Sequence, residues 1–187
     1  LSNEGIVSVR QGYGTTVMDP STVQKLNYVT SISETLLANG YDVSTVECHV
    51  DVLASSAKVA KQLGLEAGAP VIRIQRLIAA NGKPIVLVTN YLSNALPFDA
   101  ELFCREPQPL YQYLEKHCRL SIDAAVDEIT ARACDLAQAH MLQLPVGSSL
   151  VYLRRTTYFK GKPATYDVCY IDGTRYSFSV NLAGRKR

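Results

Sequence analysis

The stretch from Val71 to Leu92, VIRIQRLIAANGKPIVLVTNYL, predicts two strands joined by a tight turn at Asn81-Gly82. Asn and Gly tolerate the positive φ angles that a two-residue hairpin turn requires, and β-branched residues fill the flanking runs. The other elements of the chain are therefore expected to be arranged around this hairpin.

The chain contains this unit a second time, as SSLVYLRRTTYFKGKPATYDVCYI over residues 148–171. Arg76 aligns with Arg155 and Pro84 with Pro163, and one offset of 79 positions (155 − 76) serves the whole unit without a gap. A helix precedes the hairpin in both copies. The repeat predicts one continuous sheet with a pseudo-twofold relation between its halves.

Composition restricts the class of protein. With 187 residues and 47% hydrophobic content, the chain suffices for one domain, or one domain plus a fragment. Its apolar runs are of strand length, so we expect neither a spanning helix nor a signal peptide. A net charge of +2 does not by itself indicate nucleic-acid binding, and any DNA contact must be local.

The five cysteines are an odd number and show no Cys-x-x-Cys spacing. This pattern favours a reducing, cytoplasmic location and argues against both a disulfide scaffold and a zinc site. We expect no metal and no cofactor.

The first seventeen residues, LSNEGIVSVRQGYGTTV, predict a small hairpin with a glycine-rich tip. A basic residue, an amide and glycines at such a tip suit close approach to phosphates, although an ordinary exposed hairpin has the same composition. The stretch resembles the wing of the winged helix-turn-helix domain in GntR-type bacterial transcription regulators. The resemblance makes these residues candidates for DNA contact: Arg10, Gln11, Gly12, Tyr13, Gly14 and Thr15.

In that family the two helices that dock in DNA come before the wing, and this sequence does not contain them. We therefore expect residues 1–18 to be the remnant of the DNA-binding domain. Residues 19–25 are expected to be a linker, residues 26–184 a single sensing and dimerisation domain, and residues 185–187 a basic tail.

Within the larger domain, Ser31 and Glu34 have the spacing of a capping box, and Gly40 ends the helix that follows. The remaining pattern predicts strands over residues 42–53, 121–133, 150–160, 163–171 and 176–182, and helices over 55–64, 110–120 and 134–142.

Arg76 is the clearest candidate for chemistry. Alternation along VIRIQRLI places it in one row with Ile72, Ile74 and Ile78. A guanidinium in an apolar row needs an anion or carbonyl oxygens, because an unpaired buried charge is costly. The residues alone leave two alternatives open, a structural ion pair with an acid of the chain or a bound ligand.

Residues 26–182 resemble the UTRA domain, the ligand-sensing half of HutC-subfamily GntR regulators. The matching features are the SxSE helix start, the run from Leu63 to Leu77, the NGKPI turn and the terminal RYSFSV. The resemblance implies an α+β fold similar to chorismate lyase, with a mainly antiparallel six-stranded sheet flanked by helices.

The same resemblance implies that Arg76 holds an anion, as the matching Arg does in sugar-phosphate sensors, and that Ser31 contributes a hydroxyl. Other expected polar groups are replaced: a second Arg by Ile78, an acid by Val88, a Ser by Pro109 and an acid by Thr165. A smaller or less polar anion, such as an organic acid, is therefore expected. Three tyrosines are further candidates for the pocket wall: Tyr91, Tyr166 and Tyr170.

The leading hypothesis is a transcription regulator, a repressor, that binds operator DNA as a homodimer and responds to a small-molecule effector. A dimerisation module that has lost its ligand is the alternative. A chorismate-lyase-like enzyme is the least favoured hypothesis, because apolar or hydroxyl residues stand where its acids are expected.

Overall fold

The computed structural model describes residues 22–184 with their side chains, and the backbone of residues 7–10 and 14–17. The strands are β1 Val7–Arg10, β2 Gly14–Val17, β3 Thr22–Lys25, β4 Val43–Ala54, β5 Pro70–Ala80, β6 Lys83–Ser93, β7 Ala124–Ala133, β8 Ser149–Phe159, β9 Lys162–Asp172 and β10 Tyr176–Ser179. The helices are α1 Ile32–Ala38, α2 Ala57–Leu63, α3 Ala100–Arg105, α4 Leu110–Cys118 and α5 Leu136–Leu142.

The main sheet has six antiparallel strands in the order β4-β5-β6-β9-β8-β7. The repeat relates β4, β5 and β6 to β7, β8 and β9 respectively. The strand order is therefore the same from either edge of the sheet, and a pseudo-twofold axis passes between β6 and β9. The hairpin turns have the positive φ angles that their sequences predict, 51° and 74° at Asn81-Gly82 and 51° and 72° at Lys160-Gly161. The predicted α+β fold and six-stranded sheet are confirmed.

Helices cover both faces of the sheet. On one face, Ile32 and Leu36 of α1 pack on Ile78 and Val88, and α3 and α4 pack beside them on the apolar residues of β5. On the other face, α2 and α5 pack on Val71 and Leu77 respectively. Because side chains alternate along a strand, Arg76 points to the face covered by α1, α3 and α4.

The predicted linker over residues 19–25 is partly wrong. Residues 22–25 form β3, which pairs in parallel with β10 in a separate two-stranded sheet. With only four residues, β3 is too short to be recognised as a strand from its sequence, and β10 supplies its backbone partners. The predicted last strand over residues 176–182 ends at Ser179.

The N-terminal strands β1 and β2 pair as an antiparallel hairpin, with Arg10 opposite Gly14. Three of the residues predicted to contact DNA, Gln11, Gly12 and Tyr13, lie outside the described residues, as do the side chains of Arg10 and Thr15. Contact between this hairpin and DNA stays a prediction.

The structure contains one disulfide, which the argument against a disulfide scaffold did not foresee. Cys48 of β4 and Cys104 of α3 are bonded, and they are separated by 56 positions in sequence. Tertiary packing of α3 on the edge strand brings the two together, and short-range cysteine spacing contains no signal for such a pair. Cys118, Cys134 and Cys169 are free.

Candidate functional site

A small cavity of about 30 Å³ lies over the centre of the sheet, where the first residues of α1 and α4 meet. The apolar residues of its lining are Ile32, Ile78, Val88, Leu110, Leu153 and Cys169. Its polar side chains are Ser31, Ser33, Arg76, Asn90, Tyr111, Arg155 and Asp167.

Arg76 is buried, with 7% of its surface exposed. Its Nη2 donates to Oδ1 of Asn90 at 3.1 Å, and its Nε has no hydrogen-bond partner. The guanidinium carbon lies 5.2 Å from the centre of the Phe103 ring. Among the residues with described side chains, no carboxylate forms an ion pair with Arg76.

Burial lowers the pKa of Arg76 to about 10, against a smaller opposing effect of the Asp167 charge. The side chain is thus charged at neutral pH but poorly compensated. A buried guanidinium with an unused donor favours an anion that enters the cavity.

Asp167 is 4% exposed and is held by two donors. Asn90 Nδ2 donates to its Oδ1 and the Tyr111 hydroxyl donates to its Oδ2, both at 2.8 Å. Burial raises the pKa of Asp167, and these hydrogen bonds act in the opposite direction. Burial also raises the pKa of Tyr111, which keeps the phenol protonated as a donor. The Asn90 amide therefore connects Arg76 to Asp167 and fixes both.

Arg155 also borders the cavity, but its donors are engaged. Its Nε and Nη2 donate to the two carboxylate oxygens of Asp127 at 2.6 Å each, and its Nη1 donates to the carbonyl of Thr30 at 2.6 Å. Burial alone would lower the pKa of Arg155, but the hydrogen bonds and charge of Asp127 together with the interactions of Tyr111 outweigh it, and the pKa is raised. This bidentate pair is a structural contact.

The repeat relates the two arginines. Cys48 lies opposite Arg76 in the strand register, and Asp127 lies opposite Arg155. The offset between Cys48 and Asp127 is the same 79 positions (127 − 48). The cysteine therefore stands where the other half of the sheet has the acid. Among the described side chains no carboxylate lies within ion-pair distance of Arg76, and Asp167 is joined to it only through Asn90.

Four of the residues expected from the sequence line the cavity, namely Ser31, Arg76, Ile78 and Val88. The Ser31 hydroxyl accepts from the backbone of Glu34 at 3.2 Å and so also caps α1. Thr165 is fully buried and bonded to the Thr157 hydroxyl at 2.8 Å, and it does not reach the cavity.

The three tyrosines do not join this site. Tyr91 and Tyr166 stack on each other with centroids 6.1 Å apart, and Tyr170 packs on Tyr152 at 4.9 Å. They lie on the face covered by α2 and α5, because each is adjacent in sequence to a residue that points to the opposite face. None of the three lines the small cavity, whereas Tyr170 and Arg76 both border a second, more open cavity of about 590 Å³. That these tyrosines contact an effector stays a prediction.

Sequence reasoning missed the rest of the polar set. Asn90 lies two residues after Val88 and thus on the same face, and Asp167 is its direct cross-strand partner. A search for polar residues in the apolar rows of β6 and β9 would have found both. Tyr111 reaches the cavity through the packing of α4, for which the sequence contains no signal.

No group of His, Cys, Asp or Glu among the described residues is arranged to hold a metal ion. Within the same part of the chain, no helix is both long and apolar enough to span a membrane.

The family model, the sequence relatives and the solved structures agree on which proteins this chain resembles. The family model described as the UTRA domain matches residues 38–177. The chain is 32% identical over 191 aligned positions to the HTH-type transcriptional regulator Rv0792c of Mycobacterium tuberculosis, covering 97% of this chain and 68% of that protein. It is 25% identical to the HTH-type transcriptional repressor NagR of Bacillus subtilis, covering 95% and 73%.

Among solved structures, PhnF from Mycobacterium smegmatis superposes with a TM-score of 0.78 at 22% identity, covering 99% of this chain and 81% of that one. The effector domain of the same protein superposes with a TM-score of 0.75, covering 87% and 99%. At this identity the similarity shows a shared fold.

Proposed function

Because this chain belongs to the UTRA-domain transcription regulators of the GntR/HutC type, we propose that its cavity binds a small organic anion as the effector. The chain provides the effector-binding domain of such a regulator. The observation that supports an anion is Arg76, which is buried, charged and faced by a cysteine instead of an acid.

The size and lining of the cavity favour a small ligand with an apolar body. A carboxylate accepts two parallel hydrogen bonds from a guanidinium, and aliphatic side chains form much of the rest of the lining. A volume of about 30 Å³ is less than an organic acid occupies, so the segments that carry Ser31 and Tyr111 must separate for it to enter.

Such a movement would act on β3, which follows the N-terminal hairpin in sequence. Arg155 and Gln24 both donate to the carbonyl of Thr30, the latter at 3.0 Å, and the Tyr176 hydroxyl donates to Gln24 at 2.7 Å. The segment before α1 is therefore bonded to the cavity and to β3. An effector that favours one arrangement of this segment would change how the hairpin is presented.

We further propose that the protein is a cytoplasmic homodimer that represses transcription, with residues 1–18 touching DNA and the domain of residues 26–184 providing the dimer contact. A twofold operator requires two related DNA-binding heads. The chain is proposed to bind its ligand without converting it, consistent with relatives that are named transcriptional regulators.

A thermal-shift screen against organic acids, amino acids and sugar phosphates tests the proposal. A ligand at a hundred times its dissociation constant adds roughly 2.7 kcal/mol of stability. We expect an organic acid to raise the melting temperature of the parent but not of Arg76→Met. Arg73→Met is the matched control, because Arg73 lies on the same strand and pairs with Asp51 on the opposite face. An equal shift in parent and Arg76→Met would refute the assignment.

A further inference from the structure

The Cys48–Cys104 bond lies directly beside Arg76. Cys48 is the cross-strand partner of Arg76, and Cys104 follows Phe103, whose ring covers the guanidinium at 5.2 Å. All four residues line one narrow crevice between β4, β5 and α3. The disulfide thus links α3 to the sheet, and α3 in turn places Phe103 on Arg76.

Both bonded cysteines are half-buried, whereas the free Cys134 and Cys169 are buried. A small thiol can therefore reach the bond. Helix α3 has only six residues, and a helix of that length has little stability of its own. Without the bond, it is held by packing, chiefly of Phe103 on Phe98 and Tyr113 at centroid distances of 5.2 and 4.9 Å.

We propose that the Cys48–Cys104 pair is a redox switch for anion binding at Arg76, tight when the bond is formed and weaker when it is reduced. This inference rests on the proposed function. The reductant is a dithiol: one of its thiolates attacks a sulfur of the bond and releases one cysteine thiolate, and its second thiolate then attacks the mixed disulfide and releases the other cysteine thiolate. The protein gains two electrons and two protons as two thiols, and the dithiol becomes a disulfide.

The direction of the effect follows from the surroundings of Arg76. While α3 is fastened, Phe103 excludes water from one side of the guanidinium and contributes a cation–π contact. Once α3 is released, water reaches the guanidinium and the effective dielectric constant rises. The attraction between Arg76 and a bound anion then falls.

The test is calorimetric titration of the whole chain with succinate and with inorganic phosphate, before and after reduction by dithiothreitol. We expect reduction to weaken binding about fivefold or more, the lower end of couplings between linked sites. The double variant Cys48→Ser with Cys104→Ser should bind as the reduced parent does and ignore the reductant. Cys118→Ser, which removes a half-buried free thiol, should respond like the parent.

Three results would overturn the inference. Mass spectrometry of alkylated, unreduced protein that finds Cys48 and Cys104 free removes the bond itself. Equal affinity in both redox states removes only the switch and leaves the anion site intact. Absence of binding by either anion in either state refutes the proposed function together with the switch.

Discussion

The two halves of the sheet place the same residue in different surroundings. In the second half, Arg155 is held by both oxygens of Asp127 and by a backbone carbonyl, whereas in the first half Arg76 faces Cys48 and keeps an unused donor. The turns and apolar rows agree between the halves. A single position on the edge strand therefore separates an arginine that is held in an ion pair from one that has no such pair among the described side chains.

Replacing each arginine by methionine should give the largest difference in stability between the two halves of the sheet. Arg155→Met leaves the Asp127 carboxylate without its partner and removes one of the two donors to the Thr30 carbonyl, and we expect a loss of about 3–5 kcal/mol in the free energy of unfolding. Arg76→Met loses one hydrogen bond to Asn90 and should cost about 1–2 kcal/mol. Urea unfolding followed by circular dichroism measures both, and equal losses would contradict the assigned roles.

Reduction of the disulfide should have the next largest effect on stability. The bond spans 56 positions of sequence, and its removal should lower the free energy of unfolding by about 2–4 kcal/mol because the unfolded chain gains freedom. Chemical unfolding with and without dithiothreitol measures the difference. The Cys118→Ser variant should lose as much as the parent, and a variant without Cys104 should lose nothing.

The pH dependence of anion binding should also distinguish the two arginines, because their pKa values are shifted in opposite directions. Burial lowers the pKa of Arg76 to about 10, whereas the pKa of Arg155 is raised. Protonated Arg76 attracts the anion, so affinity for succinate should be constant from about pH 7 to pH 9 and fall above about pH 10, by about tenfold per unit. A fall centred near neutral pH would indicate a different titrating group. Circular dichroism at each pH verifies that the protein remains folded.

Much of the fold was predictable because its signals are local. Asn81-Gly82 specifies a hairpin turn, and a gap-free offset from Arg76 to Arg155 specifies that the hairpin occurs twice. The strand β3 was not predictable, because it has only four residues and its pairing depends on where β10 lies. The disulfide depends likewise on where α3 packs.

The site was predictable where it lies on strands. Alternation places Arg76, Ile78 and Val88 on one face, and the same rule places Tyr91 and Tyr166 on the other. Applied to every strand, alternation would have excluded those tyrosines and added Asp167. The reach of Tyr111 into the cavity depends on helix packing and has no equivalent signal.

The most direct test compares Cys48→Asp with Cys48→Asn by calorimetric titration with succinate. Both variants lack the disulfide and have side chains of nearly equal size, so they differ in the charge placed opposite Arg76. The introduced carboxylate should pair with Arg76 as Asp127 pairs with Arg155, and we expect Cys48→Asp to bind succinate at least about tenfold more weakly than Cys48→Asn. Equal affinity in the two variants would contradict the claim that the missing acid leaves Arg76 available to the effector.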